Sequence, residues 1–235
     1  MGAYGMEWMT MLAAGHTAVE GRLLSVNVGA VRQIELAGRP RTTAIWKHPV
    51  SGRVAVWGVN LVGDQQADRR VHGGPDRAVY AYAREDYAWW ERQLDRPLDP
   101  GMFGENLTTE GIDVTGALVG EQWRVGSVVL QVTSPRVPCW KLGVRMGDPG
   151  FPRRFAAGGR PGAYLAIVEE GQVGAGDRIQ VLHRPGHGVT VGLMAAAYHR
   201  DHRLAARILA APELPAAWKH WAEHQARTDA PRHAV

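Results

Sequence analysis

Between Arg22 and about Arg184, short apolar or alternating runs recur between glycines and prolines. Runs of this length bounded by turn residues predict strands, and many in succession predict a barrel or sandwich. The predicted strands are LLSVNV, RVAVWGVNL, RAVYAY, EQWRVG, SVVLQVTS, AYLAIVEE and DRIQVLHR. Two helices interrupt them. One is REDYAWWERQL, where Tyr87, Trp90 and Leu94 fall at helical spacing, and a shorter one follows Cys139. The rest of this region reads as turn and loop.

Beyond Pro185 glycine thins out, alanine accumulates and apolar residues fall at i, i+3 and i+4, which predicts three short helices. Thr190 suits the cap of the first, Asp201 the cap of the second, and Pro215 the first turn of the third, which carries Trp218 and Trp221. The expected organisation is a loose leader over residues 1–21, a β domain over 22–186 and a three-helix domain over 187–235. No internal repeat is visible.

Composition sharpens this picture. With 45% hydrophobic and 21% charged residues the chain is of ordinary globular type, and 29 Gly and 14 Pro favour turns and short strands over long helices. A single cysteine allows no internal disulfide, so a cytoplasmic address is expected. No stretch approaches the roughly 20 apolar residues of a membrane span, so no membrane partner is expected. The formal charge of +4, with no Lys/Arg block, suits a small anionic ligand and gives little support to nucleic acid.

Three segments stand out chemically. In VTSPRVPCWKLGVRM a predicted strand meets two prolines and then Cys139 at the start of a helical turn. A helix N-terminus, Arg136 and Lys141 would each stabilise its thiolate, which would make it a nucleophile or a soft-metal ligand. The alternative is a small buried apolar residue. In RVHGGPDRAVYAY, Gly73 and Gly74 permit positive φ and close approach of backbone N–H groups to a ligand, and His72 could donate to it. A plain glycine turn with His72 bonded to its own backbone fits the same residues. In FGENLTT, Asn106 offers an amide fork, with hydroxyls at Thr108 and Thr109; an Asx-stabilised turn is the other reading.

Taken in order, SVNVG, KHPVSGRVAV, NLVGDQQADRRVHGGPDRAVYAY, FGENL, SPRVPCWKL and GAYLAIVEEGQVGAGDRIQVL resemble the MOSC domain family, in its YiiM-like branch with a three-helix tail. The resemblance implies a β-barrel that holds molybdopterin-bound molybdenum, with Cys139 as the protein's thiolate ligand to the metal. A soft thiolate suits a metal already held by two pterin sulfurs. The pterin phosphate calls for cations and N–H donors, and the candidates are Lys47, Arg70, Arg77, Arg136 and Lys141, with Arg136 and Lys47 first. His72 and Asn106 join Cys139 as catalytic candidates, and Gly73, Gly74, Asn106 and Thr108 as cofactor contacts.

The implied activity is reduction of an N-hydroxylated nitrogen, with N-hydroxylated base analogues such as hydroxylaminopurines as substrates. Protons would arrive through water or His72. The chain has no complete dinucleotide fingerprint and no cysteines for an iron–sulfur cluster, so electrons are expected from a partner, a flavoprotein reductase. MOSC relatives also imply an alternative, a module that carries the cofactor or a cysteine persulfide to other enzymes. In the tail, His220 and His224 sit at i, i+4, a zinc-clip spacing, but with no cysteine to complete a site they are expected on solvated helix faces. Six Lys/Arg against four Asp/Glu from His187 onward point to packing or docking of the tail instead of DNA reading.

Overall fold

A computed structural model describes residues 20–67 and 73–228. In chain order its strands are β1 (Glu20–Val28), β2 (Arg32–Leu36), β3 (Arg39–Thr43), β4 (His48–Pro49), β5 (Val54–Trp57), β6 (Asn60–Leu61) and β7 (Val79–Ala83). There follow β8 (Leu107–Glu110), β9 (Gln122–Val125), β10 (Val128–Pro135), β11 (Ala163–Glu169), β12 (Gly171–Val173) and β13 (Arg178–His183). The helices are α1 (Arg84–Leu94), α2 (Trp140–Met146), α3 (Phe151–Gly158), α4 (Val191–His199), α5 (Ala205–Ile208) and α6 (Ala216–Thr228). β1 begins within the expected leader, whose first 19 residues lie outside the described ones.

Seven strands close into a barrel in the order β13-β9-β10-β11-β7-β8-β1, with β1 pairing back onto β13 through Glu20↔Gln180 and Arg22↔Arg178. Every neighbouring pair is antiparallel except β7–β8, whose parallel pairing requires a crossover, and α1 lies in that connection. Alternation sets what faces inward. In β7, Val79, Ala81 and Ala83 join Leu23, Val26, Leu107, Leu130, Leu165 and Ile179 in the barrel core. The intervening Tyr80 and Tyr82 face a second apolar cluster outside, built with Tyr87 and Trp90 of α1, Phe103, Leu142 and the α3 pair Phe151 and Phe155. β7 is therefore buried throughout. Its tyrosine hydroxyls remain satisfied, Tyr80 donating to the Pro161 carbonyl at 2.7 Å and Tyr82 to the Arg160 carbonyl at 2.9 Å.

The barrel strand β8 and the short strands β4 and β12 lie in predicted turn and loop, and three further segments depart from the sequence reading. RVAVWGVNL is not one strand: it turns at Gly58, where φ is +62°, and β5 and β6 pair as a hairpin that β12 extends. The predicted loop before Ala44 contains the β2–β3 hairpin, reversed at Ala37 and Gly38, both at positive φ as a two-residue primed turn requires. Both strands are largely exposed, so no apolar alternation marked them. Helix α3 also fell in predicted loop; Phe151 and Phe155 are its buried face.

The tail forms α4, a 3₁₀ turn at His202–Leu204 that runs into α5, and α6. Thr190 Oγ1 accepts from Leu193 N–H at 3.0 Å, and Asp201 accepts from Arg203 N–H at 3.1 Å. Pro215 precedes α6, its carbonyl accepting from Trp218 N–H. The tail has its own apolar cluster around Met194, Ile208 and Trp218, but Val119 and Val137 of the barrel domain belong to it, and Val191 of the tail lies in the barrel core. His220 and His224 are exposed. No described helix is long and apolar enough to cross a membrane.

Candidate functional site

Strand β10 ends at Pro135, and the chain passes through Arg136, Val137 and Pro138 to Cys139, the residue before α2. The prolines lack N–H groups and fix φ, so this stretch is irregular between a strand and a helix. Cys139 is half-buried, with extended backbone and no capping bond from its side chain. It lines a cleft together with Lys47, Asp64, Asn106, Arg136 and Lys141.

The barrel side of this cleft is a buried polar network. Asp64 Oδ1 accepts from Gly29 N–H at 2.8 Å, and its Oδ2 accepts from the Asn106 amide at 3.0 Å and from the Lys47 ammonium. Asn106 in turn exchanges bonds with Tyr80: its Oδ1 accepts from Tyr80 N–H at 3.2 Å and its own N–H donates to the Tyr80 carbonyl at 2.8 Å. Its carbonyl accepts from Asn27 N–H at 2.7 Å. Asn106 thus ties β7 to β1, a different arrangement from an Asx turn. Behind it, Thr108 accepts from Asn27 Nδ2 at 3.0 Å and donates to Glu105 Oε1 at 2.8 Å.

Burial governs the charges here. It pulls the Lys47 ammonium below the ordinary lysine range, against the pull of Asp64 in the other direction. It pushes Glu105, which is fully buried, above the ordinary carboxylate range although Tyr87, Gly101 and Thr108 donate to it. Glu105 Oε2 has no partner. Burial also works against the Arg136 charge, but Tyr164, Tyr80 and Cys139 outweigh it and its pKa stands above the usual arginine value. Arg136 lies 5.2 Å over the Tyr80 ring and donates to the Phe103 carbonyl. The Gly101–Gly104 turn carries these groups against the chain at Ile45–Lys47. Both glycines have positive φ, and a Cβ would stand 2.4 Å from the Lys47 carbonyl at Gly101 and 2.9 Å from Ile45 Cγ1 at Gly104.

Of the candidates read from sequence, Lys47, Arg77, Asn106, Arg136, Cys139 and Lys141 line one cleft. Thr108 does not reach it and stands behind Asn106, almost wholly buried. Gly73 and Gly74 are outside its lining; Gly74, at φ +96°, opens the 3₁₀ turn Pro75–Arg77 that carries Arg77. His72 and Arg70 lie outside the described residues. Asp64, Tyr80 and Tyr164 were missed, although all three fall inside quoted stretches, NLVGDQQ, AVYAY and GAYLAIVEE. No group of three His, Cys, Asp or Glu among the described residues could hold a metal ion.

The model of the MOSC domain matches residues 68–180. YiiM of Escherichia coli (strain K12) is 32% identical over 77% of this chain and 82% of its own. The chain belongs to the MOSC domain family. Within it, the chain is also 36% identical to the uncharacterized protein YflK of Bacillus subtilis (strain 168), over 84% of this chain and 90% of that one. A protein of Gibberella moniliformis named reductase is 32% identical over 76% of this chain, which spans 32% of the reductase. The crystal structure of YiiM from Geobacillus stearothermophilus superposes with a TM-score of 0.72 at 26% identity, covering 87% of this chain and 98% of that one. The fold is thus that of a YiiM-like MOSC protein.

Proposed function

We propose that this protein is a molybdenum-cofactor-dependent reductase of N-hydroxylated compounds, base analogues among them. The observation that carries the reading is the meeting of one half-buried thiol with four cationic side chains, Lys47, Arg77, Arg136 and Lys141, in a single cleft. MOSC domains are associated with the molybdenum cofactor, and the fungal relative named reductase supports an oxidoreductase role.

The donor set fits this group. One sulfur, with no cluster of hard protein ligands among the described residues, suits a metal that arrives with its own pterin sulfurs, and the cations suit a phosphate. Cys139 would supply the protein's ligand. Arg136 donates one N–H to the Phe103 carbonyl and has others for an anion, while Lys47 is already engaged by Asp64. That division makes Arg136 the phosphate-facing candidate and Lys47 part of the frame. Asn106, tied to Tyr80, Asn27 and Asp64, holds the rim in shape. When bound, the cofactor supplies the two-electron chemistry that reduces an N–O bond to N–H and water. Electrons would come from a partner protein, for which a flavoprotein is the fitting class.

The test is chemical analysis followed by turnover. Protein from a cofactor-making host should carry molybdenum and pterin, and should convert 6-hydroxylaminopurine to adenine with a reduced dye as donor. Absence of both metal and pterin would overturn the reading. Full cofactor without turnover would move it to the carrier role.

A further inference from the structure

The cleft at Cys139 does not stop at the barrel domain. A second cavity of about 460 Å³ adjoins it, the two sharing Arg77, Val137, Cys139 and Tyr164. That volume lies within the roughly 300–1,000 Å³ of small-molecule sites. Its far wall comes from the tail, from Tyr198 of α4 and Ala217, Trp218 and Trp221 of α6.

The chemistry of this wall differs from that of the cysteine cleft. Among the described residues that line the second cavity there is no carboxylate, and the one cation, Arg77, stands on the barrel side and lies 5.9 Å over the Tyr164 ring. Trp221 is half-buried and held by three rings: Tyr198 at 5.2 Å, Trp218 at 5.7 Å and His202 at 5.9 Å. An indole fixed by its neighbours yet still open on one side is a stacking platform for a flat ring, since little side-chain freedom is lost when the ring arrives. Every nucleobase has a π face that such a ring can stack.

We infer that the C-terminal helices form the substrate wall of the site, Trp221 and Tyr198 stacking a planar heteroaromatic base in the second cavity while its N-hydroxyl group reaches the Cys139 cleft. This rests on the reductase reading for the identity of the substituent. The preference for a flat ring comes from the tail alone. The wall would thereby select aromatic N-hydroxylated compounds over small aliphatic ones.

Adenine, the product of the reaction, is the probe, and calorimetric binding to the full chain needs no turnover. Wild-type protein should bind it. Trp221→Ala should weaken binding about tenfold, or ~1.4 kcal/mol, while Trp221→Phe stays within a few-fold. Because Trp221→Ala also removes tail packing, Ala217→Phe is the companion: residue 217 is exposed on α6, so a larger side chain fills the cavity without disturbing the core, and it should also abolish binding. In turnover, Trp221→Ala should raise KM for 6-hydroxylaminopurine with kcat nearly kept. Adenine that fails to bind wild type, or binds all variants alike, overturns the inference, and turnover in that same protein would leave the reductase reading intact. Variant-sensitive adenine binding without turnover would do the reverse.

Discussion

On the barrel side of the cleft, Lys47, Asp64 and Asn106 are buried and bonded to one another and to the backbone of β1 and β7. On the tail side, Tyr198, Trp218 and Trp221 meet through ring faces and edges, with centroids 5.2–5.7 Å apart. Directional bonds in a dry site fail as a unit, because removing one partner strands the others. Ring contacts yield by degrees, because apolar area is lost in proportion. The barrel side is thus fitted to fix one geometry, and the tail side to tolerate change.

The largest effect should come from the residue between the two. Cys139→Ser is expected to abolish N-reduction while the melting temperature hardly moves, since the side chain is half-buried and makes no capping bond. Melting temperature and turnover per bound molybdenum, measured together, decide it. A less stable variant with normal turnover would remove Cys139 from the mechanism.

Next, ending the chain before His187 separates the walls physically. All seven barrel strands precede that point, so we propose that the remainder folds, melts cooperatively and keeps its cofactor while losing adenine binding. Its melting temperature should fall, because Val119 loses its cover and the barrel core loses Val191. A soluble truncated protein that melts without cooperativity would mean that the two regions fold as one.

Asp64→Ala tests the claim that the barrel side fails as a unit. It strands a buried ammonium, the Asn106 amide and Gly29 N–H, at an expected cost of about 3–5 kcal/mol in denaturant unfolding. A loss of a few tenths would place the network nearer to solvent than its burial implies. Glu105→Gln should show a smaller effect, recognisable by its pH dependence. Burial raises the folded-state pKa of Glu105 above its ordinary value of 4.5, so its ionised form costs stability that its protonated form does not. As pH rises from about 4.5 to the raised value, wild type should lose stability relative to Gln, with the difference constant above that window. A difference independent of pH would show an unshifted carboxyl. Thr190→Ala, which removes the α4 cap, should cost only about 1 kcal/mol by thermal melting, and loss of adenine binding with it would tie the wall to that cap.

The contrast between the two walls also explains what the sequence could disclose. Local signals were legible. The α1 stripe of Tyr87 and Trp90, the caps Thr190 and Asp201 and the apolar runs of β7 and β10 each depend on neighbours within a few residues. The single cysteine and the glycine-rich motifs marked the cleft for the same reason. What stayed hidden depends on distance or exposure. Nothing local says that Asp64 takes the Lys47 ammonium or that Asn106 spans two strands, and Trp221 reads as an ordinary apolar helix position until Val137 and Tyr164 are placed opposite it. The β2–β3 hairpin escaped because both its faces are largely wet.

Closure of the barrel has a consequence in time. β1 pairs with β13, so residues 20–22 find partners only at 178–180. During synthesis the first strand must wait, edge exposed on that side, until nearly the whole β region has left the ribosome. Contacts of such long sequence separation make folding slow, and they place the last ring bond after the segment bearing Cys139 is already available. Folding intermediates of this chain should therefore be open sheets, with the stretch from Glu20 to Val28 the part most exposed to mispairing.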